Sequence, residues 1–586
     1  MILRAENLNV RMGDTPVLRD VDFSLAAGQV LGLVGESGAG KSMIGRAIAR
    51  MLPAGFAVTG GSLTLDGADL LAMPAARHRA LLGRDIAFIP QEPLTALNPV
   101  LTIGRQFGEH LRRLGVARRR EASVAALESV HLADAAGLLS RYPHQLSGGM
   151  CQRVLIAMTF AGKPRLVMAD EPTTALDVTI EARIMALMIE LQRAHGTAVL
   201  FITHNLRLAA RICDDIAVLY SGAVVERGAT REVLARPAHP YTRCLQLADP
   251  ALTGPRRALY ALPDNMPGLR EAMRTQGCRF APRCPVAAEE CGRVDPPLGA
   301  RAACFRTELT GSIAAPDTEA VVAEAGTAVV LEVSGLRKRF ATGGLFRRGA
   351  TVAVRGADFS VREGEFVAVV GESGSGKSTL GRLLVGLEMP SGGRIVLDGK
   401  DVTGASEAAR RHRVATVQMV FQDPQSALNP RRRVADIVTQ ALEARGVGQA
   451  ARLVRARALL SEIGLPQDAA GRTPHQLSGG QKQRVNIARA LCSLSRLLVA
   501  DEIVSGLDVS VQAQLLLLLA RLRAEHRFAL LFISHDLAVV RHLCDRVLVM
   551  RHGEIVEQGD VAEVFASPRH EYTRELLAAA GGVGLM

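Results

Sequence analysis

Six short apolar runs stand out along the chain, in three pairs. Val30-Leu-Gly-Leu-Val34 and Phe366-Val-Ala-Val-Val370 each stop at a glycine. Leu166-Val-Met-Ala169 and Leu497-Leu-Val-Ala500 each stop at Asp-Glu. Val199-Leu-Phe-Ile202 and Leu530-Leu-Phe-Ile533 each reach a histidine two residues later. Short continuous apolar runs, unlike alternating ones, predict strands covered on both faces, as in a parallel sheet under helices. The segments Met43-Ile-Gly-Arg-Ala-Ile-Ala49 and Thr379-Leu-Gly-Arg-Leu-Leu384 open helices soon after the first pair of strands. An α/β fold follows. In open sheets of this kind the carboxyl ends of the strands border the ligand crevice, which is where these glycines, acids and histidines fall.

The pairing of runs is part of a long repeat. Gln91-Glu-Pro, His144-Gln-Leu-Ser-Gly-Gly149, Asp170-Glu171, His204 and His239-Pro-Tyr-Thr242 all recur 331 positions on. They return as Gln422-Asp-Pro, His475-Gln-Leu-Ser-Gly-Gly480, Asp501-Glu502, His535 and His570-Glu-Tyr-Thr573. Solenoid units recur every 20–50 residues or so, and this period is far longer, so the chain is a duplicated domain. The expected division is a first domain over 1–245, a cysteine-bearing extension over 246–309, a linker over 310–329, and a second domain with a short tail over 330–586. The linker stretch is rich in Ala, Gly and acidic residues with little hydrophobic period.

Each half carries a loop of the form GxxxxGK[ST] between a strand and a helix. The first is Gly35, Glu36, Ser37, Gly38, Ala39, Gly40, Lys41 and Ser42. The second is Gly371, Glu372, Ser373, Gly374, Ser375, Gly376, Lys377 and Ser378, followed by Thr379. The glycines let backbone N–H groups converge on phosphate oxygens at the positive end of a helix. Lys41 and Lys377 are placed to reach the β- and γ-phosphates, and Ser42 and Ser378 to hold Mg²⁺. Asp170 and Asp501 can organise the metal's shell, and Glu171 and Glu502 can polarise an attacking water. Alone, such an acidic pair is an ordinary helix N-cap. Following a phosphate loop, it points to nucleotide hydrolysis. His204 and His535 stand 33 residues after the glutamates in both copies, which favours a γ-phosphate contact.

These residues together resemble the ATP-binding cassette (ABC) family over nearly all of both halves. Leu146-Ser-Gly-Gly-Met150 and Leu477-Ser-Gly-Gly-Gln481 are similar to its signature, Gln91 and Gln422 to its glutamine loops, Ala175-Leu-Asp177 and Gly506-Leu-Asp508 to its D-loops, and His204 and His535 to its switch histidines. The resemblance implies two tandem P-loop ATPase domains, each a mixed-sheet core with a helical subdomain. It also implies two ATP molecules held head to tail, one by Lys41 with Ser478 and Gly480, the other by Lys377 with Ser147 and Gly149. Gln91 and Gln422 join the Mg²⁺ shell, and Phe340 stacks on adenine where the first half offers only Met12. Two departures are visible: Met150 replaces the usual Gln, and Ile503-Val504 replaces the Pro172-Thr173 of the first half. The stretches Gln91–Pro99, Gln422–Pro430, Pro237–Thr242 and Gly277–Cys284 resemble the peptide and nickel importer group. That implies two permease subunits, an extracytoplasmic solute-binding protein, and a peripheral position on the cytoplasmic face of the bacterial inner membrane. The leading cargo is di- or oligopeptides, with nickel chelates and glutathione-like peptides behind.

Composition adds little and changes one point. The 586 residues carry a net charge of +12. The basic clusters Arg118–Arg120 and Arg431–Arg433 lack the aromatic platforms of a nucleic-acid surface, so no nucleic-acid partner is expected. A soluble twin-cassette ATPase acting on ribosomes or DNA is the alternative, although such proteins carry long charged linkers or large insertions that this chain lacks. No apolar run approaches the length of a spanning helix. In a reducing compartment the nine cysteines favour metal over disulfides. Cys278, Cys284, Cys291 and Cys304 form a set with C-x5-C-x6-C-x12-C spacing. Four thiolates suit a [4Fe–4S] cluster or Zn²⁺, and the resemblance to the importer group implies the cluster, with Zn²⁺ as the alternative. The other five are expected as small buried hydrophobes.

Overall fold

The computed structural model describes residues 1–173, 176–250, 258–263, 266–268, 271, 275–315, 326–342, 349–493 and 495–581. Ala175 of the first D-loop, half of the expected linker (316–325) and the last five residues lie outside that set.

Each half builds two sheets. In the first half an antiparallel sheet runs in the order Thr15–Leu25, Leu3–Met12, Phe56–Leu65, Ala68–Asp69. A six-stranded sheet runs in the order Ala223–Ala229, Asp215–Tyr220, Val30–Val34, Ala198–Thr203, Leu166–Asp170, Ile86–Ile89. The second half repeats both sheets, with Phe366–Val370 in the place of Val30–Val34. The loop-bearing strand is central and parallel to both neighbours. Every residue of Val30–Val34, Leu166–Asp170, Ala198–Thr203 and their counterparts is buried, as continuous apolar runs require. Gly32 sits in such a strand because a Cβ there would stand 2.8 Å from the Cys213 sulfur. Cys151, Cys213, Cys244, Cys492 and Cys544 are all buried, in keeping with their expected role as small hydrophobes.

The two halves interlock. Pro240–Ala248 packs against Val509–His526 of the second half, and its counterpart Glu571–Gly581 packs against Val178–His195 of the first. The extension joins this seam. Ala248 and Leu259 are buried in the second half's core, and Gln514 Nε2 donates to the Leu262 carbonyl at 2.7 Å. Beyond residue 309 the chain still belongs to the first half, because Ile313 is an apolar side chain with a core to enter. It is buried there, and its carbonyl accepts from Arg243 Nε at 3.0 Å.

Candidate functional site: two phosphate loops facing across the seam

The helices Lys41–Ile48 and Lys377–Val385 start without any side-chain cap. Their first N–H groups are therefore open to an anion. Gly40 and Gly376 precede them in the left-handed region, at φ 100 and 105. Each loop lysine is turned inward onto its own loop. Lys41 Nζ donates to the carbonyls of Gly35 (2.7 Å) and Glu36 (2.9 Å), and Lys377 Nζ to those of Gly371 (2.7 Å) and Glu372 (2.8 Å). Burial lowers both ammonium pKa values, against the pull of the nearby carboxylates. Ser42 Oγ donates to Asp170 Oδ1 and Ser378 Oγ to Asp501 Oδ1, both at 3.0 Å. Burial raises both aspartates, partly offset by these serine hydrogen bonds. Hydroxyl and carboxylate thus converge on one point, the donor set a hard divalent cation takes.

The glutamates sit between a glutamine and a histidine. Gln91 Nε2 donates to Glu171 Oε2 at 2.9 Å, and Glu171 Oε1 lies 2.9 Å from His204 Nδ1. In the second half, Gln422 Nε2 donates to Glu502 Oε2 at 2.8 Å, with His535 Nδ1 3.6 Å from Glu502. Both glutamates adopt left-handed backbone, φ 46 and 48. Each is held there by an N–H bond of 2.9 Å across to the neighbouring strand, at Ile202 or Ile533. Non-glycine residues pay about 1–3 kcal/mol for such geometry, a cost that clusters at functional positions.

Burial favours protonating Glu502 and neutralising His535, but their mutual contact outweighs it. Glu502 is held below its usual value and His535 above its usual 6.5. The charged pair therefore persists from the lowered Glu502 pKa up to the raised His535 pKa, and is lost outside that window. A histidine NMR titration of the full chain is expected to place His535 above 6.5, and Glu502→Gln to bring it down. An unmoved His535 resonance would contradict the pairing.

The signature serines begin helices. Ser147 caps Gly148–Phe160 and Ser478 caps Gly479–Leu491, accepting from Met150 N and Gln481 N at 3.3 Å. In the second half Gln481 Oε1 accepts in return from Ser478 N (3.0 Å), completing a capping box. Met150 cannot make that bond, so the first half has only half the box. Gly149 and Gly480 let each signature helix approach the D-loop helix: a Cβ would stand 3.0 Å from Ile180 and 2.6 Å from Val511. The other departure is also accommodated, since Ile503 and Val504 are both buried in the second half's core.

The D-loop aspartates reach across to the phosphate loops of the opposite halves. Asp177 caps Val178–His195 and its Oδ2 accepts from Ser373 N of the other phosphate loop at 3.2 Å. Asp508 caps Val509–His526 and its Oδ2 accepts from Ser37 N at 3.3 Å. One cavity between the halves is lined by Glu171, His204, Glu502 and His535. Phe340 is half-buried on the strand Val329–Thr342, with the Lys338 ammonium 4.7 Å from its ring centre; Met12 lies on the matching strand of the first half.

Sequence reasoning did not single out Tyr241 and Tyr572. Their hydroxyls accept from the N–H of Glu36 (2.9 Å) and Glu372 (2.8 Å), propping each phosphate loop from below. The repeated His-x-Tyr-Thr was the available signal. His239 Nδ1 accepts from Tyr241 N, and His570 Nδ1 from Tyr572 N, which turns each tyrosine inward.

The four expected cluster ligands come together at one place. Cys278, Cys284, Cys291 and Cys304 line one cavity. Yet among the described residues no group of three or more His, Cys, Asp or Glu side chains is arranged to hold a metal ion. Burial pushes the thiols of Cys278 and Cys284 up to about 11. Arg306 N donates to the Cys304 sulfur at 3.3 Å.

Comparison with known proteins agrees with this geometry. The ABC transporter family model matches residues 18–174 and 354–505, and the model for the oligopeptide/dipeptide transporter C-terminal region matches 225–291 and 556–581. The chain is similar to the "Oligopeptide transport ATP-binding protein OppD" of Mycobacterium tuberculosis, at 40% identity over 96% of this chain and 95% of that one. It is equally similar to the "Glutathione import ATP-binding protein GsiA" of Escherichia coli O157:H7, at 40% identity over 99% of this chain and 89% of that one. With two phosphate loops, two signatures and two crossed D-loops on one polypeptide, the chain belongs to the ABC transporter family, as a transporter ATPase with both cassettes in tandem.

Proposed function

We propose that the chain is the ATP-hydrolysing motor of an importer for di- or oligopeptides, including glutathione-like peptides. It works through two separate permease subunits fed by an extracytoplasmic binding protein. The observation that carries this reading is the peptide-transporter C-terminal match, which follows each cassette rather than only one. The named relatives act on the same cargo class. No helix among the described residues is long and apolar enough to cross a membrane. In this reading the motor sits peripherally on the cytoplasmic face, beneath the permeases.

In the proposed cycle two ATP molecules lie head to tail, one between Lys41 and Ser478, the other between Lys377 and Ser147. The crossed Asp177 and Asp508 contacts support that pairing. The triphosphate takes up the uncapped N–H groups, and Lys41 and Lys377 exchange loop carbonyls for phosphate oxygens. Ser42, Asp170 and Gln91, with Ser378, Asp501 and Gln422 in the other site, would hold Mg²⁺, which neutralises charge on the β- and γ-oxygens when bound. Glu171 and Glu502 accept the proton of the attacking water, while His204 and His535 orient them. Phe340 stacks on the adenine of the second site. Co-purified with its permeases, the chain is expected to hydrolyse ATP faster when peptide-loaded binding protein is added. Failure of every peptide to stimulate, or co-sedimentation with ribosomes, would overturn the reading.

The four cysteines belong to the same proposal. Four thiols around one cavity are a donor set for a [4Fe–4S] cluster, although their arrangement here is not yet a coordination sphere. Anaerobically purified chain is expected to contain iron and a broad visible absorption that Cys291→Ser removes. Zinc alone, or no metal, would refute it.

A further inference from the structure

Among the described residues, the cysteine extension grips the first phosphate loop and makes no such contact with the second. Arg283 lies one residue before Cys284, and its side chain is only 3% exposed. It meets the Glu36 carboxylate with two parallel bonds, Nη1 to Oε2 at 2.8 Å and Nη2 to Oε1 at 2.9 Å. Its Nε donates to the Pro263 carbonyl (2.9 Å). Glu36 is a loop residue, and its Oε1 also accepts from Ser510 Oγ, next to the D-loop of the second half. A second arginine grips the loop from behind. Arg279 Nη1 donates to the Ser221 carbonyl and to Ser221 Oγ, and the adjoining Gly222 N–H donates to the Ala39 carbonyl at 3.0 Å. Between the two, Phe280 is buried against Tyr220 and Tyr241.

The second loop shares the tyrosine prop and the D-loop contact but not the clamp. Glu372 Oε1 accepts from Thr179 Oγ1 at 2.9 Å, and among the described residues it has no arginine partner. The position of Tyr220 is taken there by Arg551, whose guanidinium lies 4.7 Å over the Tyr572 ring.

We propose that Arg283 is a positioning residue for ATP at the Lys41 site, through which the cysteine extension sets the affinity of one nucleotide site and leaves the other alone. A bidentate guanidinium fixes both the position and the plane of the Glu36 carboxylate. That carboxylate ties the first phosphate loop to the opposing D-loop before nucleotide arrives. Removing the arginine leaves a buried carboxylate unpaired, which is strongly unfavourable, and the loop must rearrange to solvate it.

The test uses the full chain with one site disabled at a time and Mg-ATP binding read by a fluorescent ATP analogue. In the Lys377→Ala background, Arg283→Met is expected to weaken binding by about tenfold, equivalent to about 1.4 kcal/mol. In the Lys41→Ala background the same change is expected to shift binding by less than about twofold. Adding Glu36→Gln to Arg283→Met removes the stranded charge and is expected to restore part of the affinity. Arg283→Lys restores little, because an ammonium cannot make the paired bonds. If Arg283→Met does not fold, Arg283→Lys carries the comparison, with the same preference for the Lys41 site. Equal losses at both sites, or no loss at the Lys41 site, would overturn the proposal. If neither lysine variant removes a nucleotide, the ATP-site assignment fails instead.

Discussion

Replacing Glu171 and Glu502 together by glutamine is expected to lower ATP turnover by about 10²–10⁴-fold, the usual contribution of a positioned general base. Each glutamate stands where its strand ends, in left-handed backbone, bracketed by a glutamine and a histidine. Glutamine preserves shape and most hydrogen bonds but cannot take a proton. The single variants are the sharper experiment. Both halves keep the complete set of lysine, aspartate, glutamate and histidine, so each single change is expected to reduce steady-state hydrolysis while leaving nucleotide binding intact. Unaltered hydrolysis in either single variant would show that only one site turns over.

Gly371→Ala is expected to remove nucleotide binding from the Lys377 site. Gly371 has φ 150, and an added Cβ would stand 2.1 Å from the Met550 carbonyl oxygen. Backbone cannot step aside as a side-chain tip can. The φ value alone costs about 1–3 kcal/mol, and the collision forces the loop open. At Gly35, with φ 153, an added Cβ would stand 2.3 Å from the Leu219 oxygen, which predicts the same loss at the other site. Gly374 is the control: its φ of 83 is left-handed, but nothing lies within 4 Å, so Gly374→Ala is expected to cost only about 1 kcal/mol. Bound nucleotide per chain, measured by equilibrium dialysis, should fall from two to one for Gly371→Ala. A stoichiometry that stays at two would contradict the packing argument.

Much of this was legible in the sequence because the informative signals are local. Continuous apolar runs marked the buried strands, and Glu171, His204, Glu502 and His535, which follow four of those runs, line one cavity between the halves. Glycine spacing marked the loops, and the internal repeat turned each weak match into a pair. What escaped was assembled from distant segments. Arg283 meets Glu36 across 247 positions, and no periodicity announces an ion pair of that kind. Tyr241 reads as an ordinary aromatic until the chain folds beneath the loop. The four cysteines show the opposite limit. Their spacing was conspicuous, but spacing does not dictate how thiols turn: the four side chains line one cavity, yet among the described residues they are not arranged to hold a metal ion.

The tyrosine props give the chain's far end an unexpected weight. Glu571–Gly581 closes the second half, and it reads as a helix that a shortened version of the protein could spare. Yet Tyr572 near its start holds up a loop 200 residues upstream, while its body rests on Val178–His195 of the first half. It bears on the phosphate loop of its own cassette at one end and on a helix of the opposite cassette along its body. One short helix thus joins the second phosphate loop to the first half by direct contact, apart from the crossed D-loop aspartates.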